Sequence, residues 1–275
     1  MKVWVNGVVV EQAEALVSVF DHGLTVGDGV FETAKVVNGV PFALTRHLQR
    51  LAASAAGLGL PPPELDLVRH AIEQTLTENH DADVPLRLRI TYTGGISPLG
   101  SDRGDNAPTL VVALAPMRSW PAAATVAMVP WTRNERSATA GVKTTSYAEN
   151  VVALAHAHEK GAAEALLANT AGHLCEGTGS NVFVVLDGAV LTPPLSSGCL
   201  AGVTRALVLE WTDAKERDLP VEVLQEAEEV FLTSSTRDVQ GVGEIDGRVL
   251  AGAPGPVTTR VAAAFAEGAA ADNDP

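Results

Sequence analysis

Short runs of alternating apolar and polar residues end at turn dipeptides in several parts of the chain. Four such dipeptides each separate two runs: Asn6-Gly7, Asn38-Gly39, Asp187-Gly188 and Asp246-Gly247. Dipeptides of this kind favour the positive φ angles of type I′ hairpin turns. Residues 87–93 alternate most clearly, with Leu88, Ile90 and Tyr92 on one face of the predicted strand. The pattern predicts antiparallel sheet towards both ends of the chain.

Apolar residues at helical spacing predict helices between these strands. Two stripes are visible, the first made of Leu44, Leu48, Leu51 and Ala55, and the second of Leu65, Val68, Ile72 and Leu76. A third helix is predicted over 147–160, where Gly161 stops it, and a fourth from about Gly202 to about Lys215. A last helix is predicted over roughly 257–267.

Two breaks in the pattern indicate how the chain is divided. Residues 94–108 are rich in Gly, Ser, Pro and Asp and predict a long surface loop, whereas the break at 115–124 is the better candidate for a domain boundary. We therefore predict an α+β chain of two lobes, with an N-terminal α/β domain over 1–116, a linker over 117–124 and a C-terminal domain over 125–275. The tail, about 268–275, is expected to be disordered.

Composition narrows the classes of function. The chain has 275 residues, 46% of them hydrophobic, and a net charge of −14 that disfavours nucleic-acid and membrane-surface partners. No signal peptide or membrane-spanning run is visible, and Cys175 and Cys199 form neither a disulfide framework nor a zinc ligand set, so we expect a cytoplasmic protein. His156 and His158 point to different faces of a helix, so no metal site is predicted.

Lysine is scarce, and one lysine has an unusual setting. Lys2, Lys35, Lys160 and Lys215 each have a plain surface explanation, whereas Lys143 lies between a turn of small residues and an apolar helix. Burial at such a junction would lower the pKa of the amine, as covalent catalysis by lysine requires. The competing interpretation is a solvated lysine at a strand end, and the residue pattern alone favours that simpler interpretation.

Three further segments suit a phosphorylated heterocycle. Glu176 precedes a buried strand, where a carboxylate can hold a pyridine nitrogen protonated, although an ordinary turn glutamate fits equally well. Residues 202–204 begin a helix, and free N–H groups there suit an anion such as a phosphate. Residues 232–236 end a strand with consecutive hydroxyls that suit the same anion, but hydroxyl clusters are more often turn formers.

Taken together, these segments resemble the class IV aminotransferase family, the fold-type IV pyridoxal-phosphate enzymes. Seven motifs occur in the family's order: D-H-G-L-T-V-G-D-G-V-F-E-T at 21–33, H-L-Q-R-L at 47–51, V-K-T-T-S-Y-A-E-N-V at 142–151, C-E-G-T-G-S-N-V-F at 175–183, T-P-P-L at 192–195, L-A-G-V-T-R at 200–205 and E-V-F-L-T-S-S-T at 229–236. The resemblance implies a small N-terminal α/β lobe, a larger barrel-like C-terminal α/β lobe, pyridoxal 5′-phosphate as cofactor and a homodimer. It also implies small-molecule amino and keto substrates.

The resemblance also implies roles for individual residues. Lys143 would be the Schiff-base lysine and the acid/base of the proton shift, Glu176 the partner of the pyridine nitrogen, and Phe31 a wall of the substrate pocket. Arg50 would bind the phosphate, to which a guanidinium fork is suited. The remaining cofactor contacts would come from Tyr147, Ser180, Asn181, Val203, Thr204 and Ser235.

The substrate carboxylate has no clear partner in the sequence. D-Amino-acid aminotransferases carry an Arg-x-His pair in the loop after the strand that matches 87–93, and Leu99 and Ser101 stand there in this chain. This difference counts against a standard D-amino-acid enzyme. Arg103 could reach the pocket instead, or it could be a solvated loop arginine beside Asp102 and Asp105.

Three functions fit the resemblance. The first is an aminotransferase that needs a keto-acid acceptor. The second is aminodeoxychorismate lyase, which would use Lys143 to eliminate pyruvate and yield 4-aminobenzoate without an acceptor. The third is a non-catalytic binding protein on the same scaffold, which the joint presence of Lys143, Glu176 and Arg50 disfavours. The aminotransferase ranks first.

Overall fold

The computed structural model describes residues 1–80 and 84–275, which divide into two compact units. The first unit comprises Met1–Arg118, Val142–Tyr147 and Asn273–Pro275, and the second Ser119–Gly141 and Ala148–Asp272. The sequence analysis places residues 142–147 in the C-terminal domain, whereas in the structure they belong to the first unit. Backbone hydrogen bonds between this segment and residues 29–31 of the first unit hold it there.

Among the described residues, the first unit contains a six-stranded antiparallel sheet. In chain order its strands are β1 (Lys2–Val5), β2 (Val8–Glu11), β3 (Gly29–Val37), β4 (Val40–Pro41), β5 (Leu86–Thr93) and β6 (Thr109–Pro116). They lie in the order β2-β1-β6-β5-β3-β4. The helices are α1 (His22–Thr25), α2 (Leu44–Gly57) and α3 (Leu65–Thr77), with a 3₁₀ turn at Gln12–Glu14.

Helices α2 and α3 cover one face of this sheet, as the two apolar stripes predict. Leu48, Leu51 and Ile72 share a buried cluster with Leu88 and Ile90 of β5. Because side chains alternate along a strand, the intervening residues of β5 project from the opposite face. The core thus occupies one side of the sheet and leaves the other for polar groups.

A second sheet organises the second unit. Its strands are β7 (Ala123–Arg133), β8 (Glu164–Asn169), β9 (Leu174–Gly177), β10 (Asn181–Leu186), β11 (Ala189–Thr192), β12 (Lys215–Glu216), β13 (Glu229–Ser234), β14 (Asp238–Ile245) and β15 (Arg248–Val249). They lie in the order β12-β11-β10-β13-β14-β7-β8-β9, and β15 pairs with β14. The sheet is mixed, because β7 runs parallel to both β14 and β8. Strand β9, at one end of the order, also contacts β10 near the other end, so the sheet curls round as the barrel-like prediction expects.

The described part of the second unit also contains four α-helices, α4 (Ala148–Glu159), α5 (Val203–Trp211), α6 (Val223–Glu226) and α7 (Pro256–Ala271), and a 3₁₀ turn at Leu195–Ser197. Helix α5 ends four residues earlier than predicted, because Lys215 and Glu216 pair with β11 instead. Within 1–80 and 84–275, no helix is long and apolar enough to cross a membrane.

The turn dipeptides behave as predicted, and the C-terminal tail does not. Each of the four dipeptides has two positive φ angles and joins two paired antiparallel strands. The tail expected to be disordered from about 268 is instead helical to Ala271, which agrees with the high helix propensity of alanine. Beyond it, Asn273 O accepts from the Ala43 N–H at 2.7 Å, and Asp274 accepts from the Thr45 N–H at 2.7 Å.

Candidate active site

The segment that carries Lys143 is fixed along the start of β3. The Phe31 N–H donates to Lys143 O at 2.9 Å, and the Thr145 N–H donates to Gly29 O at 2.8 Å. Gly29 makes this close approach possible, since a Cβ there would lie 2.9 Å from Thr145 Oγ1. Lys143 is therefore held by main-chain contacts to the motif at 21–33, which sequence comparison alone could not place beside it.

The Phe31 ring is the centre of a cluster of charged and aromatic side chains in the first unit. Lys143 Nζ lies 4.4 Å from its centroid, and the Tyr147 ring packs edge-on at 5.3 Å. Arg89 Cζ lies 3.3 Å from the same centroid. The sequence analysis named Lys143, Phe31 and Tyr147 as candidate site residues and did not name Arg89. The alternation of β5 could have indicated it, because Arg89 lies on the face opposite Leu88.

Arg50 forms a buried ion pair with Glu32. Its Nε donates to Glu32 Oε1 at 2.7 Å and its Nη2 to Oε2 at 2.8 Å, while His47 Nδ1 lies 2.7 Å from the same Oε2. Burial by itself would raise the pKa of the fully buried Glu32, but the charge of Arg50 and the hydrogen bonds from Arg50 and His47 outweigh burial and lower this pKa to about 2. Burial lowers the pKa of His47, which favours a neutral ring. Glu32 thus orients the guanidinium predicted to bind phosphate.

Replacing Glu32 by glutamine is expected to make the free energy of unfolding depend less on pH between the ordinary glutamate pKa of 4.5 and about 2. Because the folded-state pKa of Glu32 is lowered to about 2, its stabilising effect is present above its ordinary value of 4.5 and is lost as pH falls towards 2. Glu32→Gln should lower the free energy of unfolding at pH 7 by about 3 kcal/mol, since it leaves Arg50 without its carboxylate. Urea unfolding from pH 7 to pH 2 measures this difference.

The control for this experiment is Glu78→Gln, which breaks only the exposed ion pair with Lys2. This variant should unfold close to the wild-type midpoint at every pH. If Glu32→Gln kept the same deficit at pH 2 as at pH 7, ionisation of Glu32 would not be the source of the stability.

Arg103 is engaged elsewhere in the first unit. Its Nε and Nη2 donate to the two carboxylate oxygens of Asp28 at 2.7 and 2.6 Å. Its Nη1 donates to Gly59 O and its Nη2 to Leu58 O, both at 2.7 Å. The hydrogen bond with Asp28 raises the pKa of Arg103. The structure therefore uses this guanidinium to tie down the 94–108 loop, and substrate binding by Arg103 would require these bonds to break.

In the second unit, Glu176 and Asn181 hold the segment before α5. The Leu200 N–H donates to Glu176 Oε2 at 2.9 Å, and Asn181 Nδ2 donates to Leu200 O at 2.9 Å. Arg133 Nε lies 3.2 Å from Glu176 Oε1, and Arg133 Nη1 donates to Glu149 at 2.7 Å. Arg133 was not predicted from the sequence. It balances the negative charge of the buried Glu176.

The N-terminus of α5 has the features of an anion site. Gly202 is the N-cap residue, and no side chain among the described residues caps this helix end, so the helix begins with the uncapped N–H groups of Val203 and Thr204. An added Cβ on Gly202 would overlap Asn181 Oδ1. On the neighbouring strand, Thr233 pairs with Asn181, and its buried hydroxyl has no hydrogen-bond partner in the described residues. The N–H groups at the start of α5 suit an anion such as a phosphate.

Ser180 and Ser235 have different surroundings. Ser180 Oγ donates to the buried Glu164 at 3.2 Å, and Glu164 also accepts from Arg237 Nη2 at 2.8 Å and from the Thr178 N–H at 3.0 Å. Ser180 therefore belongs to a buried network that supports the turn after Glu176. Ser235 directly follows β13 and is half-buried.

Comparison with known proteins agrees with this geometry. A family model described as amino-transferase class IV matches residues 29–245. The chain is 35% identical over 263 residues to a provisionally named branched-chain-amino-acid aminotransferase of Methanocaldococcus jannaschii, covering 91% of this chain and 90% of the relative. It is 32% identical over 281 residues to D-alanine aminotransferase of Bacillus licheniformis, covering 96% of each.

A solved structure gives the same result. The PLP-bound form of a hypothetical aminotransferase from Mycobacterium tuberculosis superposes with a TM-score of 0.88 and 28% identity, covering 100% of both chains. The fold is therefore shared along the whole chain.

Proposed function

The chain belongs to the class IV aminotransferase family, whose enzymes use pyridoxal 5′-phosphate, and from this premise we propose that it moves an amino group from an amino acid or amine to a 2-oxo acid. In this proposal Lys143 is the amine that holds the cofactor covalently. The observation that carries the assignment is the position of Lys143 Nζ, 4.4 Å from the Phe31 ring centre, on a segment bonded to β3.

Each of the two units contains residues that suit a part of the cofactor. In the first unit, the guanidinium of Arg50 is oriented by Glu32 and suits a phosphate oxygen. In the second unit, the start of α5 at Val203 and Thr204 and the hydroxyls that end β13 suit a phosphate. Ser235 extends that row of hydroxyls. Glu176 is buried and fixed by a backbone N–H, and we assign it to the ring nitrogen.

The reaction needs a group that moves a proton, and Lys143 supplies it. Pyridoxal phosphate, when bound, provides an electron sink for the carbanion formed at the substrate carbon. Once the incoming substrate amine has displaced it from the cofactor, the free Lys143 amine would take the proton from that carbon and hold it for return. Glu176 keeps a proton on the ring nitrogen, and Tyr147, packed on Phe31, orients the groups near Lys143.

A donor–acceptor experiment tests the proposal. We expect the cofactor-loaded protein to form a new amino acid from D-alanine or L-valine only when a 2-oxo acid is added, with the products resolved by chiral chromatography. The lyase alternative is tested with aminodeoxychorismate and no acceptor. Formation of 4-aminobenzoate in that mixture, without amino transfer in the first, would overturn the aminotransferase proposal in favour of the lyase.

We also propose that the chain forms a homodimer. Leu16, Val19, Phe20 and Leu24, between β2 and β3, have exposures of 81%, 70%, 50% and 67%. Apolar side chains so exposed in one segment commonly mark an interaction surface. Light scattering should give the mass of two chains, and the double change Leu16→Ser with Phe20→Ser should shift it towards one. Val249→Ser, at an equally exposed apolar residue, should not. A wild-type mass of one chain would contradict the proposal.

A further inference from the structure

The ring of His22 joins two segments of the first unit. This histidine is buried at the start of α1, and its Nε2 lies 2.9 Å from Gly100 O in the 94–108 loop. Its Nδ1 lies 3.0 Å from Oδ2 of Asp28, the residue directly before β3. The sequence analysis placed His22 in the motif at 21–33 without giving it a role. In the structure, the ring is a bridge between the loop and the start of β3.

Both oxygens that face the ring are hydrogen-bond acceptors. Gly100 O is a carbonyl oxygen, which cannot donate. Asp28 also accepts from Arg103, whose Nε and Nη2 donate to its two carboxylate oxygens. The hydrogen bond from Arg103 is the main cause that lowers the pKa of Asp28, so this carboxylate stays ionised. A neutral imidazole has one N–H, so only the protonated ring of His22 can donate to both oxygens at once.

The surroundings of His22 favour this protonated form. The hydrogen bond with Asp28 raises the pKa of His22 above its ordinary value of 6.5, and burial opposes this effect. Among the described residues, the charges that act on the ring are those of Asp28, which raises this pKa, and of Arg103, which lowers it. Asp21, the preceding residue, accepts from Thr93 Oγ1 of β5. Because the pKa is raised in the folded protein, the stabilising effect is full below 6.5 and is lost as pH rises through the raised value.

The base and the tip of the 94–108 loop are held in different ways. At the base, the His22 N–H donates to Gly95 O at 2.8 Å and the Gly94 N–H to Asp28 O at 2.9 Å. At the tip, the ring of His22 faces Gly100 O, and Arg103 bonds Asp28. The backbone contacts at the base do not depend on pH, whereas the contact of the ring with the tip does.

The Asp28 end of this bridge adjoins the contacts that fix the Lys143 segment. Asp28 lies between Gly27 and Gly29, and both of their carbonyl oxygens accept from Thr145. The Thr145 side chain donates to Gly27 O at 3.0 Å, and its N–H donates to Gly29 O at 2.8 Å. The bonding of Asp28 is therefore connected through one residue on each side to the backbone that holds Lys143.

We propose that His22 is a positioning residue whose protonated ring clamps the tip of the 94–108 loop to the Asp28 segment beside Lys143. Loss of the ring proton breaks one of the two hydrogen bonds, whichever nitrogen keeps its hydrogen, and frees the loop around Gly100. Arg103 keeps its bonds to Asp28, so the release is confined to that part of the loop. The clamp is a property of the chain alone, whereas its effect on amino transfer rests on the proposed function.

Limited proteolysis of the full chain tests the clamp. Chymotrypsin is used because Leu99 is exposed and directly precedes Gly100. The rate of cleavage between them is measured by mass spectrometry from about pH 6 to about pH 9.5. At each pH it is divided by the rate for a free peptide with the sequence of residues 95–104. In the wild type this ratio should rise at least about tenfold with pH, as expected for loss of a hydrogen bond to a charged group.

Two neutral replacements, His22→Gln and His22→Asn, should remove the pH dependence. Their cleavage ratio should lie within about threefold of the high-pH wild-type value at every pH. The matched control is His70→Gln, at an exposed histidine of α3, which should keep the wild-type pH dependence. A wild-type ratio that stayed constant with pH would overturn the proposal without any variant. A pH dependence that persisted in the His22 variants would also overturn it.

The pH profile of amino transfer tests the positioning role. The kcat/KM for D-alanine or L-valine with a 2-oxo acid is compared between the wild type and His22→Gln over the same pH range. The wild type should exceed the variant about tenfold at the low end and equal it at the high end, because Lys143 titrates in both proteins. A constant ratio would indicate a merely structural role and overturn this part. If no donor gave amino transfer, the proposed function would fail, while proteolysis would still decide whether His22 clamps the loop.

Discussion

Replacing Lys143 by alanine should lower the rate of amino transfer by at least about 10⁴-fold, because it removes both the covalent attachment of the cofactor and the group that moves the proton. The side chain reaches the Phe31 ring, while its backbone is bonded to β3 through the Phe31 N–H. Truncation at Cβ therefore leaves the backbone contacts that position the segment. The visible absorbance of the covalently held cofactor, and product formation from D-alanine or L-valine with a 2-oxo acid, measure the effect.

Lys215→Ala is the control, because Lys215 is an exposed residue of the short strand β12. It should retain the absorbance and the rate. Added methylamine should restore part of the rate in Lys143→Ala, since a free amine can replace the lost proton carrier. Lys143→Ala with wild-type absorbance and rate would remove the central assignment of the proposed mechanism.

Changing Glu176 to glutamine should lower kcat by about 10²–10³-fold, because a neutral amide cannot keep a proton on the ring nitrogen. The amide oxygen can still accept from the Leu200 N–H, as Glu176 Oε2 does at 2.9 Å, so the segment before α5 should keep its position. The half-reaction rate and the cofactor Kd are measured together. We expect kcat to fall far more than cofactor affinity.

Arg133 makes a control for this change necessary, because Glu176→Gln also removes one of its carboxylate partners. Glu149→Gln removes the other partner, which accepts from Arg133 Nη1 at 2.7 Å and is about half exposed. If Glu149→Gln slowed the reaction as much as Glu176→Gln, the effect would come from the environment of Arg133 and not from the ring nitrogen.

Local pattern was sufficient for much of the fold. The Asn-Gly and Asp-Gly dipeptides specify their own turns, because positive φ angles are a property of those residues. The stripe from Leu44 to Ala55 predicts α2, whose buried residues include Leu48 and Leu51. The ends of helices were predicted less well. The C-terminus of α5 is set by Lys215 and Glu216, which pair with β11 as a short strand. The spacing of apolar residues within the helix does not indicate this pairing.

The candidate site was predicted in part, because motifs name residues without giving their partners. The sequence named Lys143, Arg50 and Phe31, and the structure places all three in the first unit. It did not name Glu32 as the partner of Arg50. It also did not name Arg89 as a neighbour of Phe31, since an arginine on the polar face of a strand is usually a solvated residue.

By itself, the sequence determined the family, the hairpins, the main helices and the lysine of the proposed chemistry, because each of these is encoded in residues close together along the chain. Only the tertiary structure decided which charges meet. It bonded Arg103 to Asp28, and it placed both Arg89 and Lys143 against the Phe31 ring. The physical reason is that ion pairing and burial depend on distances in space between residues on different strands and loops. The separation of two residues along the chain does not give that distance.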